Sequence, residues 1–380
     1  MTRAWIRAGL VALALFSSTA SVQATSYTWA NAVSGDFTTK SNWLPLNSTL
    51  FRSQDTAKID QTTPIAVTVN SKVSISSLTI ANAATTLNLA NQLILANSFV
   101  SPGTLNFEAG NQANTVPAGY LEYVGSLVNS GTLNMGARGE IDALDQVFLN
   151  TGTVNLLAPP APPIQFGWFD HITAKITNQG SFHIFGGQLN VELGREFSNE
   201  GTFLIDQGAS VFQLRPITNQ PSGVLTGSGS FGGQVINHGL ISPGATTGRL
   251  SIEAFQQAAD GVLRIDIGGQ SDYDQLVVTP AFHFPGDSPL NGWLSVSFLD
   301  GFVPDYSDTF TIISGAHTGR FLNTIGDVLH LPRGNFDVIY TPTAVVLTHF
   351  IPEPGTWQLL IVTGMCVAPW MLRRKHRLGM

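Results

Sequence analysis

Apolar and polar residues alternate in short runs along the middle of the chain, and a small polar turn precedes each run. The repeating unit reads Asn-x-Gly-Thr/Ser-apolar-x-apolar, and its clear copies start at Asn129, Asn150, Asn178 and Asn199. Weaker copies start at Ser101, Asn219 and Asn237. Because alternate side chains of a strand point to opposite faces, each copy predicts a short strand with one inward apolar face. Two apolar residues cannot form a core alone, so we expect successive copies to stack.

The spacing of the copies indicates the coils of a solenoid. The steps between starts are 28, 21, 28, 21, 20 and 18 residues, which gives a basic period near 20. Each of the two 28-residue steps contains a loop-like stretch; these stretches are 111–117 and 158–164. Repeats of this length are typical of a parallel β-helix, so we predict an all-β fold with a right-handed parallel β-helix over residues 25–249. A β-sandwich stays the alternative, because it also combines short strands with turns.

The turns and both ends of the repeat region carry further predictions. Asn and Gly tolerate positive φ, so we expect both to form the corner of each repeat. Aromatic residues between Tyr27 and Trp43 are placed to cap the first coil, which every open stack needs. Residues 250–350 lose the repeat and carry longer apolar runs, which we expect to close the stack as final coils or a small β module. Earlier short strands are predicted at 73–75, 78–80, 87–89 and 93–95.

Composition and charge narrow the classes of function. Only 11% of the residues are charged, and 38 are Gly, which favours turns and strands. Six of the 18 basic residues lie at the two ends, so the stretch from Thr25 to Ile351 holds 12 basic and 24 acidic residues. Such an acidic body repels nucleic acid. Cys366 is the single cysteine, which excludes disulfides and zinc, haem or iron–sulfur sites of the cysteine type.

The first 24 residues have the three parts of a secretion signal. Arg3 and Arg7 form a basic region, and residues 8–16 form a short apolar run. Small residues that end at Ala24 occupy the cleavage positions. The apolar run is too short to span a membrane, which argues against a permanent anchor. We therefore predict a signal helix that signal peptidase removes after Ala24.

The far end combines three features in a fixed order. A Pro-Glu-Pro element at 352–354 is followed by a charge-free stretch at 355–372 and by basic residues within 373–377. As a helix this stretch would be about 27 Å long, just enough for a thin hydrocarbon core. Cationic residues beside a span stay in the cytoplasm, so the body should face outward. The pattern predicts a C-terminal transmembrane helix over 355–372.

This order resembles the PEP-CTERM sorting domain of Gram-negative bacteria over residues 351–380. The resemblance implies recognition by an exosortase, a membrane transpeptidase-like enzyme, and transfer from an inner-membrane intermediate to the cell surface or outside. The implied recognition residues are Pro352, Glu353 and Pro354. The implied stop signal is Arg373, Arg374 and Lys375. A plain membrane anchor is the alternative, since a lone three-residue motif is weak.

Several segments of the body also resemble the passenger repeats of autotransporters. They are 227–244, 274–278, 308–321, 55–60 and the opening stretch from Trp29 to Trp43. The resemblance implies an elongated surface β-helix with a role in adhesion or in an extracellular matrix.

Carboxylates supply the candidate chemistry of the body. Asp266, Asp272 and Asp274 flank a Gly-Gly pair and are weak candidates for calcium binding, although a turn before the strand at Leu276 is the favoured interpretation. Asp142 and Asp145 are candidates for the carboxylate pair of a glycosidase, although an exposed loop is favoured. The eight histidines are scattered, with no pair at ligand spacing. The sequence lacks a nucleophile elbow, a phosphate loop and a dinucleotide fingerprint.

These observations predict an exported, non-catalytic surface or matrix protein that needs no cofactor. Its expected partners are an exosortase-like enzyme, the inner membrane during transit and an exopolysaccharide, as in a biofilm. Two alternatives stay open: a specific glycan-binding module and, less favoured, a polysaccharide lyase or hydrolase.

Overall fold

The chain folds into a stack of β-coils, seen in a computed structural model that describes residues 23–30, 32–46, 51–108, 119–143, 146–157, 169–191, 195–279 and 288–353. Within these ranges every regular element is a strand except one short 3-10 turn at Lys40–Asn42. The predicted signal helix and transmembrane helix lie outside the described residues, as do the loops predicted at 111–117 and 158–164. Among the described residues, no helix is long and apolar enough to cross a membrane.

The strands are short and follow one another closely. The first coils contain β1 (Ser26–Trp29), β2 (Gly35–Asp36), β3 (Trp43–Leu44), β4 (Thr56–Ile59), β5 (Ile65–Val69), β6 (Val73–Ile75), β7 (Ser77–Ile80), β8 (Thr85–Leu89), β9 (Gln92–Leu95), β10 (Phe99–Ser101), β11 (Thr104–Phe107), β12 (Tyr120–Tyr123) and β13 (Ser126–Asn129). The middle coils contain β14 (Thr132–Met135), β15 (Glu140–Asp142), β16 (Val147–Asn150), β17 (Thr153–Leu156), β18 (Phe169–Ile172), β19 (Lys175–Asn178), β20 (Ser181–Ile184), β21 (Gln188–Val191), β22 (Phe197–Asn199), β23 (Thr202–Ile205), β24 (Ser210–Phe212), β25 (Ile217–Asn219) and β26 (Val224–Gly227).

The last coils and the C-terminal region contain the remaining strands. They are β27 (Ser230–Asn237), β28 (Leu240–Pro243), β29 (Arg249–Gln257), β30 (Val262–Ile267), β31 (Gln275–Val278), β32 (Ser288–Leu290), β33 (Trp293–Phe298), β34 (Thr309–Ser314), β35 (His317–Gly319), β36 (Thr324–Ile325), β37 (Val328–Leu331), β38 (Gly334–Thr341) and β39 (Ala344–Pro352).

In the middle of the stack each coil contributes three strands, and each of these strands pairs in parallel with the strand one coil away. The pairings β12–β15, β13–β16 and β14–β17 illustrate one step of this stack. We call the three resulting sides face 1, which contains β12 and β15, face 2, which contains β13 and β16, and face 3, which contains β14 and β17. Face 3 is a separate sheet of 12 strands from β2 to β33. The predicted solenoid of parallel strands is thereby confirmed.

Inward side chains form columns that run along the stack. On face 3, Leu87, Leu105, Leu133, Val154 and Phe182 occupy the same register position on successive coils. Each is no more than 1% exposed. Burying one such side chain stabilises the fold by about 1.5–3 kcal/mol, so the core is a sum of many equivalent contributions. The other residues of each strand face outward, so the predicted alternation of inward and outward side chains is present.

The backbone conformation at the corner of each repeat differs from the positive φ that was expected there. Neither the repeat asparagines nor the glycines that follow them have positive φ. The glycine is required because neighbouring coils approach closely: a Cβ on Gly180 would lie 2.1 Å from the carbonyl oxygen of Gly152. The same distance, 2.1 Å from an added Cβ to a carbonyl oxygen of the preceding coil, is found at Gly131, Gly152 and Gly201. The positive-φ prediction was wrong, and close backbone packing is the physical reason for glycine here.

Aromatic side chains close the N-terminal end of the stack. The Trp43 ring lies 4.9 Å from the Trp29 ring and 5.1 Å from the Phe51 ring, edge to face. Its Nε1 donates to the carbonyl oxygen of Phe37 at 2.6 Å. Strand β3 runs antiparallel to β1 and pairs with it. The predicted aromatic cap of the first coil is confirmed.

The C-terminal end of the stack changes from parallel to antiparallel pairing. Strand β34 pairs in parallel with β31 and antiparallel with β39, which continues through β38 and β37 to β36. The rings of Phe336 and Phe350 lie 4.8 Å apart, and Phe350 also lies 5.4 Å from Phe298 of the last coil. The predicted closing region therefore contains both final coils and an antiparallel module.

Candidate functional site

The N-terminal end of the fold lies next to the predicted cleavage position. Ala24 is exposed, and β1 begins two residues later at Ser26. The backbone nitrogen of Thr25 donates to Oδ1 of Asp55 at 2.8 Å. The guanidinium of Arg52 also contacts Thr25, because it donates a hydrogen bond to the Thr25 hydroxyl at 3.1 Å. The first residue after Ala24 is thus already part of the folded body.

Asp55 holds this end together from inside the fold. Its carboxylate is fully buried and forms an ion pair with Arg52 at 3.2 Å. Burial acts to raise the pKa of Asp55, but hydrogen bonds from the backbones of Thr25 and Arg52 and from the Arg52 side chain outweigh it. The pKa of Asp55 is therefore lowered, and the group is an anion at neutral pH.

The C-terminal end of the fold reaches the Pro-Glu-Pro element. Pro352 is the last residue of β39 and lies opposite Gly334 in the antiparallel pair. The backbone nitrogen of Glu353 donates to the carbonyl oxygen of Arg333 at 3.2 Å. Pro354 lies outside the described residues, as do Arg373, Arg374 and Lys375. Two of the three implied recognition residues are consequently attached to the folded body.

The three aspartates considered for calcium make structural contacts within and around one turn. Both carboxylate oxygens of Asp274 accept backbone hydrogen bonds at 2.9 Å, one from Gly248 and one from Asp266. The Asp266 carboxylate pairs with Arg264 at 3.0 Å. Asp272 closes the turn, because its carbonyl oxygen accepts hydrogen bonds from Gly268 and Gly269. The favoured interpretation, a turn before the strand that begins at Gln275, agrees with these contacts.

Asp274 is also the acid whose pKa this turn perturbs most. Burial raises the pKa of Asp274 to about 7, against the opposing effect of its two backbone hydrogen bonds. Across the ranges that the structure describes, no group of three or more His, Cys, Asp or Glu residues could hold a metal ion.

Asp142, one of the two carboxylates considered for glycoside hydrolysis, lies on face 1. Asp142 accepts hydrogen bonds from the hydroxyls of Tyr120 at 3.1 Å and Thr173 at 2.7 Å. Its predicted partner Asp145 lies outside the described residues. The pKa of Tyr120 is raised by burial and then by the charges of Asp142, Glu122 and Glu140. Asp142 is thus a hydrogen-bond acceptor for two neighbours on its own face.

His171 and His183, two histidines of the repeat region, lie on different faces. His171 Nδ1 lies 3.9 Å from a carboxylate oxygen of Glu140 on face 1. His183 Nε2 lies 2.9 Å from a carboxylate oxygen of Asp206, beside face 3. Each histidine contacts a carboxylate from a neighbouring coil, and the structure does not bring the two histidines together.

A buried ladder of amides is the feature that sequence reasoning missed. The repeat asparagines point inward at the ends of the face 2 strands from β13 onward. Each donates through Nδ2 to the side-chain amide oxygen of the ladder residue in the next coil. The residues of this ladder are Asn129, Asn150, Asn178, Asn199, Asn219, Asn237 and Gln257, with distances from 2.7 to 3.1 Å. Each is no more than 1% exposed. An apolar residue two positions before each asparagine signals the inward direction, since residues i and i+2 share a face.

A second amide ladder lies on the outside of face 3. Asn106 donates to Asn88 at 2.9 Å, Asn134 donates to Asn106 at 2.9 Å, and Asn155 donates to Asn134 at 2.8 Å. A column of threonines runs beside it in the same register. We call these outward residues of β8, β11, β14 and β17 the Thr–Asn face; they are Thr86, Thr104, Thr132, Thr153, Asn88, Asn106, Asn134 and Asn155.

Comparison with known proteins does not assign the chain to a family: no family model matches it, and no curated protein matches it at a significant level. The functional argument therefore depends on the residues and contacts described above.

Proposed function

We propose that the chain is an exported, non-catalytic surface or matrix protein with a PEP-CTERM sorting tail. In this proposal the body is a right-handed β-helix. An exosortase-like enzyme recognises Pro352, Glu353 and Pro354 while the tail holds the chain in the inner membrane of a Gram-negative cell. The protein then reaches the cell surface or an exopolysaccharide matrix, where it acts as a structural or adhesion element.

One observation carries the proposal: the first and the last of the described strands lie at the two predicted processing positions. Strand β1 starts at Ser26, and Thr25 is anchored on Asp55. Strand β39 ends at Pro352, the first residue of the Pro-Glu-Pro element. Removal of both end signals would therefore leave all the described strands in one unit.

The contacts of the acidic residues favour a structural role over catalysis. Glycosidases need one carboxylic acid and one carboxylate on opposite sides of the scissile bond. Asp142 instead accepts hydrogen bonds from Tyr120 and Thr173, and Asp274 accepts two from the backbone. These groups stabilise turns and strands, which supports a stable scaffold.

The experiment that tests the proposal is the intact mass of the protein recovered from the cell surface and from the inner membrane. We expect a surface species that starts at Thr25 and ends near Pro352. The variant Glu353→Ala should accumulate in the inner membrane with its basic tail, whereas Glu200→Ala, the same change on a coil, should be sorted normally. A membrane species that keeps Arg373 to Met380 in the unmodified chain, with no shorter surface species, would overturn the proposal.

A further inference from the structure

We propose that the Thr–Asn face binds a neutral, extended polysaccharide lying along the stack. This inference rests on the proposed function for its setting, because a matrix polysaccharide is the polymer that a sorted surface protein would meet. It goes further by naming the surface, the charge class of the ligand and its direction on the protein.

The first argument is the contrast between outward and inward residues on four successive coils. The outward pair is Thr and Asn on each of β8, β11, β14 and β17. The inward residues between Thr and Asn are Leu on three coils and Val on the fourth. The inward residues after Asn vary more; they are Leu89, Phe107, Met135 and Leu156. Folding needs an apolar core and only some polar residue outside. The coil-to-coil ladder accounts for the asparagines within the fold. The four threonine side chains have no such contact, so their recurrence points to a requirement outside the fold.

The second argument is that this face presents ordered and available hydrogen-bonding groups. Each asparagine inside the ladder uses one N–H and one oxygen lone pair along the column, which leaves one of each for a ligand. The four threonine hydroxyls of the face make no hydrogen bond to any residue that the structure describes. Because the ladder fixes the amides, a ligand does not have to order them, and less conformational entropy is lost on binding.

The third argument is charge. The outward positions of β5 add Ala66 and Thr68 to the two columns, so five coils from Ala66 to Asn155 present no charged residue in them. The chain as a whole has a formal net charge of −7. An anionic polymer would be repelled by the body and would gain no ion pair on this face, whereas a neutral polymer meets no such penalty.

The fourth argument excludes other partners by polarity. A stable protein interface has an apolar centre and buries about 800 Å² on each partner, and a membrane surface needs apolar or basic side chains. The side chains of the eight residues of the Thr–Asn face carry only hydroxyl or primary amide groups as their polar groups. Hydroxyl-rich polymers complement such groups. Coils recur about every 4.8 Å, so a linear polymer along the stack meets equivalent groups repeatedly and gains avidity.

The experiment measures depletion of the purified full chain, in mild detergent, by insoluble polysaccharide. Microcrystalline cellulose serves as the neutral probe, and insoluble polygalacturonate serves as the anionic probe. We expect saturable binding to cellulose, at least about tenfold weaker binding to polygalacturonate, and little change in cellulose binding from about 0.05 to 0.5 M salt. Soluble cello-oligosaccharides should compete more strongly as their length increases.

Matched variants test the face itself. Thr104→Val, Thr132→Val and Thr153→Val together remove three hydroxyls without changing side-chain shape, and they should weaken cellulose binding about tenfold. The control changes Thr79, Thr177 and Thr218 to Val on face 2, and binding should be unchanged. Thermal unfolding of both triple variants checks that each remains folded; if the first were unfolded, Asn134→Ala provides the same test with one substitution.

The inference would be overturned by the absence of saturable binding to cellulose, or by equal losses in the two triple variants. Stronger binding to polygalacturonate than to cellulose would also overturn it. The assay uses purified protein, so a chain that is never sorted to the surface can still bind. Failure of sorting and failure of binding are therefore separate outcomes.

Discussion

Asn150 and Asn178 are joined through their side chains inside the core, where Nδ2 of Asn150 donates to Oδ1 of Asn178 at 2.7 Å. Asn178 in turn donates to Asn199 at 2.8 Å, and also donates to the carbonyl oxygen of Thr202 at 3.0 Å. Asn178 thereby satisfies groups on the coils before and after it. The ladder links coils that the backbone already pairs, and it makes each coil depend on its neighbours.

Removing one amide from this ladder should destabilise the fold strongly. Asn178→Ala leaves a buried donor on Asn150 and a buried acceptor on Asn199 without a partner, and each such group costs about 1–3 kcal/mol. We therefore expect the free energy of unfolding to fall by about 2–5 kcal/mol. The control is Asn155→Ala, which breaks the outer ladder where water can replace the lost partner. Equal losses in the two variants, measured by urea unfolding, would show that the buried ladder has no special role.

Adding one methyl group at the corner should separate two coils. A Cβ on Gly180 would lie 2.1 Å from the carbonyl oxygen of Gly152, so the backbone of one coil must move. We expect Gly180→Ala to lower the free energy of unfolding by about 3 kcal/mol or more, as overpacking against backbone does. Gly269→Ala is the control, because its added Cβ meets only the Cβ of Asp272, at 3.7 Å. A Gly180→Ala protein as stable as the Gly269→Ala protein would contradict the close approach.

The positions of the coils were predictable from sequence, whereas the direction of the asparagines was not predicted. The period-2 pattern placed Leu133 and Met135 inward, as the structure has them. The same rule applied to Leu127 and Asn129 would have turned the asparagine inward. The prediction failed there because the preference of Asn and Gly for turns was given more weight than the alternation.

Contacts between distant residues were beyond prediction from one sequence. Asp170 lies 31 positions after Gly139, whose backbone nitrogen donates to its carboxylate at 3.0 Å. Thr25 and Asp55 are 30 positions apart. Such pairs depend on which residue of one coil lies above which residue of the next. A difference of one residue in either intervening turn would change the pair, and no local pattern records it.

The buried carboxylate of Asp55 should stabilise the N-terminal end at neutral pH. Asp55→Asn removes the negative charge and replaces one accepting oxygen by an amide donor that faces the donors of Thr25 or Arg52, so we expect a loss of about 1–3 kcal/mol. Asp60→Asn is the control, because Asp60 pairs with Lys58 on the surface, where such pairs contribute about 1 kcal/mol or less. A loss no larger than that of the control would contradict the role of Asp55.

The Asp55 carboxylate should also make the free energy of unfolding depend on pH in the acid range. The pKa of Asp55 is lowered in the folded state, so its stabilisation is present above the unfolded pKa and is lost as pH falls through the folded pKa. The difference in unfolding free energy between the unmodified chain and Asp55→Asn should therefore shrink below about pH 4. A difference that stays constant from neutral pH into this acid range would contradict the lowered pKa.

Asp170 should have the opposite effect on the pH dependence of stability. Its side chain is 5% exposed, and burial raises its pKa to about 8 despite hydrogen bonds from the backbones of Gly139 and Arg138. The folded state then holds a proton that the unfolded state has released, so stability is highest below the unfolded pKa and falls as pH rises towards 8. The slope from this group is at most about 1.4 kcal/mol per pH unit.

Replacing Asp170 by asparagine should remove this slope. Asp170→Asn cannot ionise, and its amide oxygen still accepts the Gly139 N–H, so the variant should match the unmodified chain near about pH 4 and exceed its stability near about pH 8. Asp274, whose pKa is about 7, contributes a similar slope to both proteins, so only their difference reports on Asp170. Glu108→Gln, a change of the same kind at an exposed carboxylate, is the control for the loss of one carboxylate. Urea unfolding at several pH values measures the differences. If the Asp170→Asn difference did not grow with pH, the carboxylate would be ionised in the fold throughout, with a partner that its two backbone hydrogen bonds do not account for.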